Sequence, residues 1–202
     1  MSASAVDTAA RQRVTKVCPS SGAALDVAGV KTKRKIREEA ARDAGRLLRA
    51  TLRAGMPVDS AAIANELGVQ VLVTTLKEIT LGGLLMQPGS DPKIVVNGRD
   101  GYLRQRLTCA LELGHYLRRS AETNKYARVD LRDEPESPGE ELQGVYAREF
   151  AACLLMPKKD IRILAQLEMD DLEMALQFLV PREAMQLRLK DLGMSAPDLE
   201  VA

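Results

Sequence analysis

Histidine is nearly missing from this chain: its 202 residues contain one, His115. A catalytic zinc site built from two imidazoles and a carboxylate therefore cannot form within one subunit. Tryptophan is absent, and four tyrosines and two phenylalanines are the only aromatics. Base stacking on single-stranded nucleic acid would have few platforms. The three cysteines, Cys18, Cys109 and Cys153, are an odd number with neither a disulfide framework nor zinc-ribbon spacing. Free thiols in a reducing cytoplasm follow. No apolar run approaches the roughly 18 residues of a membrane span, and no secretory hydrophobic region opens the chain. A soluble, cytoplasmic protein without membrane contact is expected.

What is present is enough for a core. At 46% hydrophobic, the chain can bury one domain with a tail, or two small ones. Formal net charge is +1 but unevenly spread, for residues 1–55 carry 12 Lys/Arg against 5 Asp/Glu, a net +7, and the remainder 17 against 23, a net −6. A basic N-terminal arm suits nucleic acid or an acidic partner. It is equally the composition of a solvated leader followed by a charged helix.

Residues 1–34 mix Ser, Ala, Gly and Thr without sustained periodicity and are expected to form a disordered basic arm. From Lys31 to about Arg53, Ile36, Ala40, Ala44, Leu47, Leu48 and Leu52 recur at helical spacing. In "PVDSAAIANELGVQVLV", Asp59 or Ser60 caps a short helix and Gly68 ends it. Val69 to Val73 then reads as a strand. Residues 83–97 read as a hairpin with a long loop, closing with "KIVVN". A helix is expected over Arg99–Arg119, an exposed polar loop over 120–140, and a second apolar helix over Glu141–Met156. Three short helical stretches follow, "KKDIRILAQL", "DDLEMALQFL" and "PREAMQLRLKDLG". The fold class expected is α+β, mostly helical, with a small three-stranded sheet. The domain division expected is 1–34, 35–157 and a C-terminal helical subdomain over 158–202.

The stretch "TCALELGHYL", residues 108–117, carries the chemical signal. In H-E-x-x-H, two imidazoles one turn apart clasp a zinc ion, and the glutamate beside the first activates the bound water. Here Leu111, Glu112 and His115 hold those positions. Glu112 has the place of a general base and His115 can offer one nitrogen, but Leu111 offers only hydrocarbon. Thr108, a poor zinc ligand, lies on the correct side, while Cys109 points about 160° away from Leu111 around the helix. Without metal, His115 reads as a helix histidine bonded to backbone or carboxylate, and Glu112 as a charge facing Arg104 or Arg106.

The order of "PVDSAAIANELGVQV", "KIVVN", "RQRLTCALELGHYLRRS", "YAREFAACLLMP" and "FLVPREAMQLRLKDLG" resembles the ImmA/IrrE family of metallopeptidase-like proteins over roughly residues 40–193. Members occur in bacteria, phages and mobile elements and typically cleave or regulate a repressor. The resemblance implies a zincin-like fold with a C-terminal helical, helix-turn-helix-like bundle. It also implies zinc ligands at positions 111, 115 and 144 beside a catalytic glutamate at 112. Two ligand positions are degenerate, holding Leu111 and Gly144, and Arg148 stands where the family has asparagine. Glu140 or Glu141 is a candidate substitute carboxylate. The expectation is a pseudoenzyme that binds no zinc or other cofactor and holds a transcriptional regulator or repressor without cutting it. Two other readings stay open. One is residual proteolysis, by a metal site completed in trans or by Cys109 or Cys153 as nucleophile. The other is DNA binding through the basic arm or the last helices, where Arg182, Arg188 and Lys190 face Glu183 and Asp191.

Overall fold

A computed structural model describes residues 33–51, 56–75, 80–86, 91–118, 126–131 and 138–194. Side chains within 80–86, 126–131 and 138–141 lie outside that description, as do residues 1–32, on which most of the expected basic arm falls. The chain opens with α1 (Lys33–Ala50), whose Ile36, Ala40, Ala44 and Leu47 are buried at helical spacing. Helix α2 (Ser60–Glu66) is capped by Asp59, whose carboxylate accepts the Ala62 N–H at 3.0 Å. It stops at Gly68, where φ is +77°, a backbone setting that glycine adopts without cost.

The sheet has four strands, β1 (Gln70–Thr74), β2 (Thr80–Met86), β3 (Lys93–Asn97) and β4 (Tyr126–Leu131), in the order β1-β3-β2-β4. β3 pairs parallel with β1 and antiparallel with β2, so the expected hairpin is present and the first strand lies on its far side. The expected three strands are corrected to four, and part of the expected 120–140 loop is corrected to β4, antiparallel to β2 from Thr80↔Leu131 to Met86↔Tyr126. The sequence "YARVDL" alternates apolar and polar residues and so carries a strand's period of two. The turn-forming letters that follow it, through Pro138, obscured the alternation. Ile94 and Val96 of β3 share one face and are buried.

Helix α3 (Tyr102–Arg118) lies against β2 and β3 and packs on α4 (Pro138–Leu155), which in turn packs on α1. Small residues set the α3–α4 spacing: Ala110 and Gly114 on one helix, Ala147 and Ala151 on the other, all buried. The α1–α4 contact has a polar centre. Tyr146 donates its hydroxyl to Asp43 Oδ2 at 2.8 Å, and Arg118 pairs with Glu39 at 2.8 Å while its guanidinium lies 5.0 Å from the Tyr146 ring centre. Burial, followed by the charge and hydrogen bond of Asp43, pushes the Tyr146 phenol well above its ordinary range. The chain then forms α5 (Lys158–Gln166), α6 (Asp171–Phe178) and α7 (Arg182–Asp191), matching the three expected C-terminal helices. Asp170 and Glu173 close a reciprocal capping box at the start of α6.

Candidate functional site

Helix α3 presents two neighbouring faces. Glu112 and His115 are deeply buried, at 0% and 4% exposure. Cys109 is buried nearby. Thr108 and Leu111, with Arg104 and Leu107 one turn earlier, line a groove of about 590 Å³. The spacing 104-107-108-111 is a single helical stripe. Also lining it are Val145, Arg148 and Glu149 of α4, Met156 just after that helix, and Ala184 and Leu187 of α7. The start of α1 reaches the same groove through Lys33 and Arg37. Thus Leu111 and Arg148, two positions at which the resemblance implies a different residue, meet in one concavity, whereas Glu112 and His115 are not among its lining residues.

Of the three positions that the family resemblance assigns to metal ligands, only 115 carries a donor side chain. Position 111 ends in methyl groups that face the groove, and position 144, buried on α4, carries no side chain. Among the described residues, no group of three or more His, Cys, Asp or Glu side chains is disposed to hold a metal ion. Glu140 and Glu141 belong to the first turn of α4, but their side chains lie outside the described residues. Arg104 and Arg106, the cations expected beside Glu112, differ in their surroundings. Arg104 is exposed, and Arg106 donates Nε to the Leu179 carbonyl at 3.0 Å and Nη2 to the Val58 carbonyl at 2.6 Å.

Burial disfavours the thiolate of both Cys109 and Cys153. Burial pushes Cys109 up to about 11, against the pull of a hydrogen bond from Ser60, and the charges of Asp59 and Glu112 act in the same direction as burial. Burial also pushes Cys153 up to about 11, opposed by the neighbouring Arg188. At pH 8 each thiolate fraction is then about one in a thousand. Both cysteines are expected to resist iodoacetamide at pH 8 in the native protein and to react once urea unfolds it, as mass spectrometry of the digested protein would show. Because the folded-state values are raised, the stability these thiols contribute is complete below their ordinary value of 9.0 and declines as pH rises towards about 11.

Arg188, one of the cations read as able to meet DNA, is buried. It donates to Glu149 Oε1 at 3.0 Å, to the Met156 carbonyl at 3.3 Å and to Cys153 Sγ at 3.2 Å. Arg182 binds both carboxylate oxygens of Asp171, at 3.0 and 2.8 Å. This holds the Asp171 carboxyl below its ordinary value. The groove and the anchoring roles of Arg106 and Arg188 escaped the reading of the sequence. Only the groove left a signal there, the stripe that runs back from Leu111 at three- and four-residue steps.

A buried glutamate and histidine thus lie three residues apart on a helix laid against a small sheet. Residues 64–190 match the model of the IrrE N-terminal-like domain family, Peptidase M78, and the chain belongs to that family. A comparison with curated proteins finds no match.

Proposed function

We propose that this chain is a zinc-free, catalytically inactive member of its family that binds a transcriptional regulator or repressor and leaves it intact. The observation that carries the reading is the chemistry at two ligand positions, a hydrocarbon facing the groove at 111 and no side chain at 144. Packing of a fully buried leucine contributes about 1.5–3 kcal/mol, so a half-buried Leu111 takes over some of the cohesion a metal would supply. A partner segment can still be held. β1 is at one edge of the sheet and exposes Leu72 and Val73, at 43% and 61%, and an extended peptide can add to such an edge. DNA binding through α7 is less favoured, because Arg182 and Arg188 are both engaged within the fold. Among the described residues, no helix is long and apolar enough to cross a membrane.

Metal analysis of protein purified from zinc-supplemented cells is expected to return far less than one zinc per chain. Stoichiometric zinc would overturn the reading. With candidate regulators, zinc and a chelator control, the regulator is expected to be retained at full length in both arms. Cleavage that the chelator abolishes would contradict it.

A further inference from the structure

We propose that the groove between α3, α4 and α7 binds an anionic amphiphile, specifically a free long-chain carboxylate. Its volume, about 590 Å³, is that of a small-molecule pocket. Leu107, Leu111, Val145, Met156 and Leu187 give it an apolar floor, and Leu187 is 58% exposed, a large aliphatic side chain kept in solvent inside a concavity. The charges around this floor are asymmetric. At the inner side one carboxylate, Glu149, faces two guanidiniums, Arg188 at 3.0 Å and Arg37 at 4.0 Å, leaving an excess positive charge. Exposed Arg104 adds a cation with no ion pair among the described residues, and Lys33 and Arg148 also line the groove. The acids Glu183 and Asp191 belong to the opposite, α7 wall. A carboxylate head is therefore drawn to the α1, α3 and α4 side, with its tail along the leucines.

The floor also discriminates between kinds of occupant. A peptide brings backbone N–H and C=O groups that need partners when buried. The groove is walled by helices whose own backbones are already bonded, so its floor offers such groups little. A polymethylene tail asks for none. The β1 edge suits a peptide, and the groove suits an amphiphile. This assignment does not rest on the regulator-binding reading, and either can fail alone.

The test is calorimetric titration of the full chain with dodecanoate kept below its micelle-forming concentration. Saturable binding of one dodecanoate per chain is expected. Arg104→Glu should weaken it about tenfold, and Leu187→Glu should weaken it at least as much. Both replaced side chains are exposed, so both variants should fold, which their circular dichroism checks. Dodecyltrimethylammonium, with the opposite head charge, should bind at least about tenfold more weakly. No saturable binding by the native chain overturns the proposal. So does equal affinity for the two head charges, affinity unchanged in both variants, or association only with dodecanoate micelles or anionic phospholipid vesicles.

Discussion

Gly114→Ala is expected to destabilise the protein by about 1–3 kcal/mol, the usual cost of overpacking a filled interior. Intrinsic helix propensity argues the other way, because alanine is better than glycine inside a helix by about 1 kcal/mol. The geometry decides between them. A Cβ built on Gly114 would lie 2.9 Å from the Ala147 Cα, 3.2 Å from the Ala147 carbonyl oxygen and 3.1 Å from Phe150 Cδ1. The first two belong to backbone, which can yield only if α3 and α4 separate. Gly45→Ala provides the control, since its added Cβ would meet only the mobile end of Arg49, at 3.4 Å. There the propensity gain of up to about 1 kcal/mol should appear undiminished. Urea denaturation of the two variants should therefore move the midpoint in opposite directions. If Gly114→Ala were as stable as the native chain, the close crossing beside His115 would be wrong.

That crossing shows what the sequence can and cannot disclose. A glycine between Leu113 and His115 is visible as an exception to helix propensity, but the cause, Ala147, is 33 residues away and nothing local points to it. Local rules served well wherever the determinant was local. The Asp59 cap, the Gly68 stop and the 3.6-residue stripe of Ile36, Ala40, Ala44 and Leu47 all sit in the elements they define. β4 was missed although its alternation is equally local, because six residues form a weak signal when turn formers follow it. The parallel pairing of β1 with β3 depends on packing across the sheet and has no local mark.

The site divides along the same line. That Leu111, Glu112 and His115 belong to one helix could be read from their spacing, but not that Leu111 lines a groove while Glu112 and His115 are buried beside it. The groove was not legible, because its walls come from segments that meet only in the fold. Arg188 illustrates the point. By composition it is one more surface cation near the end of the chain. In the fold it is 5% exposed and shares Glu149 with Arg37 of the first helix. A charge count of α7 alone therefore overstates what that helix can offer to DNA.

Arg106→Ala should cause the larger loss, about 3 kcal/mol, towards the upper end for a single substitution. Arg106 is 8% exposed, and its guanidinium serves carbonyls 48 residues before it and 73 after it, at Val58 and Leu179. Truncation leaves two carbonyls in the interior without their charged donor and adds a cavity. Leu179 makes the dependence sharper. It sits at φ +51°, a left-handed setting that costs a residue with a Cβ about 1–2 kcal/mol, and its carbonyl is the one that Arg106 Nε holds. Arg106→Lys keeps the charge but loses the planar fork, so it should restore only part of the stability. Tyr102→Ala should cost less than about 1 kcal/mol, because the Tyr102 ring, 5.7 Å from the guanidinium, is largely exposed. Urea midpoints rank the three variants, and amide exchange locates the damage. Faster exchange is expected first in α6 and α7, since Leu179 is the turn that aims α7 at α3. With α7 released, Leu187 no longer lines the groove with Leu111, and dodecanoate affinity should fall even at urea concentrations where the rest of the chain stays folded. Loss of stability with α7 still protected would show that Arg106 acts on the Val58 side alone.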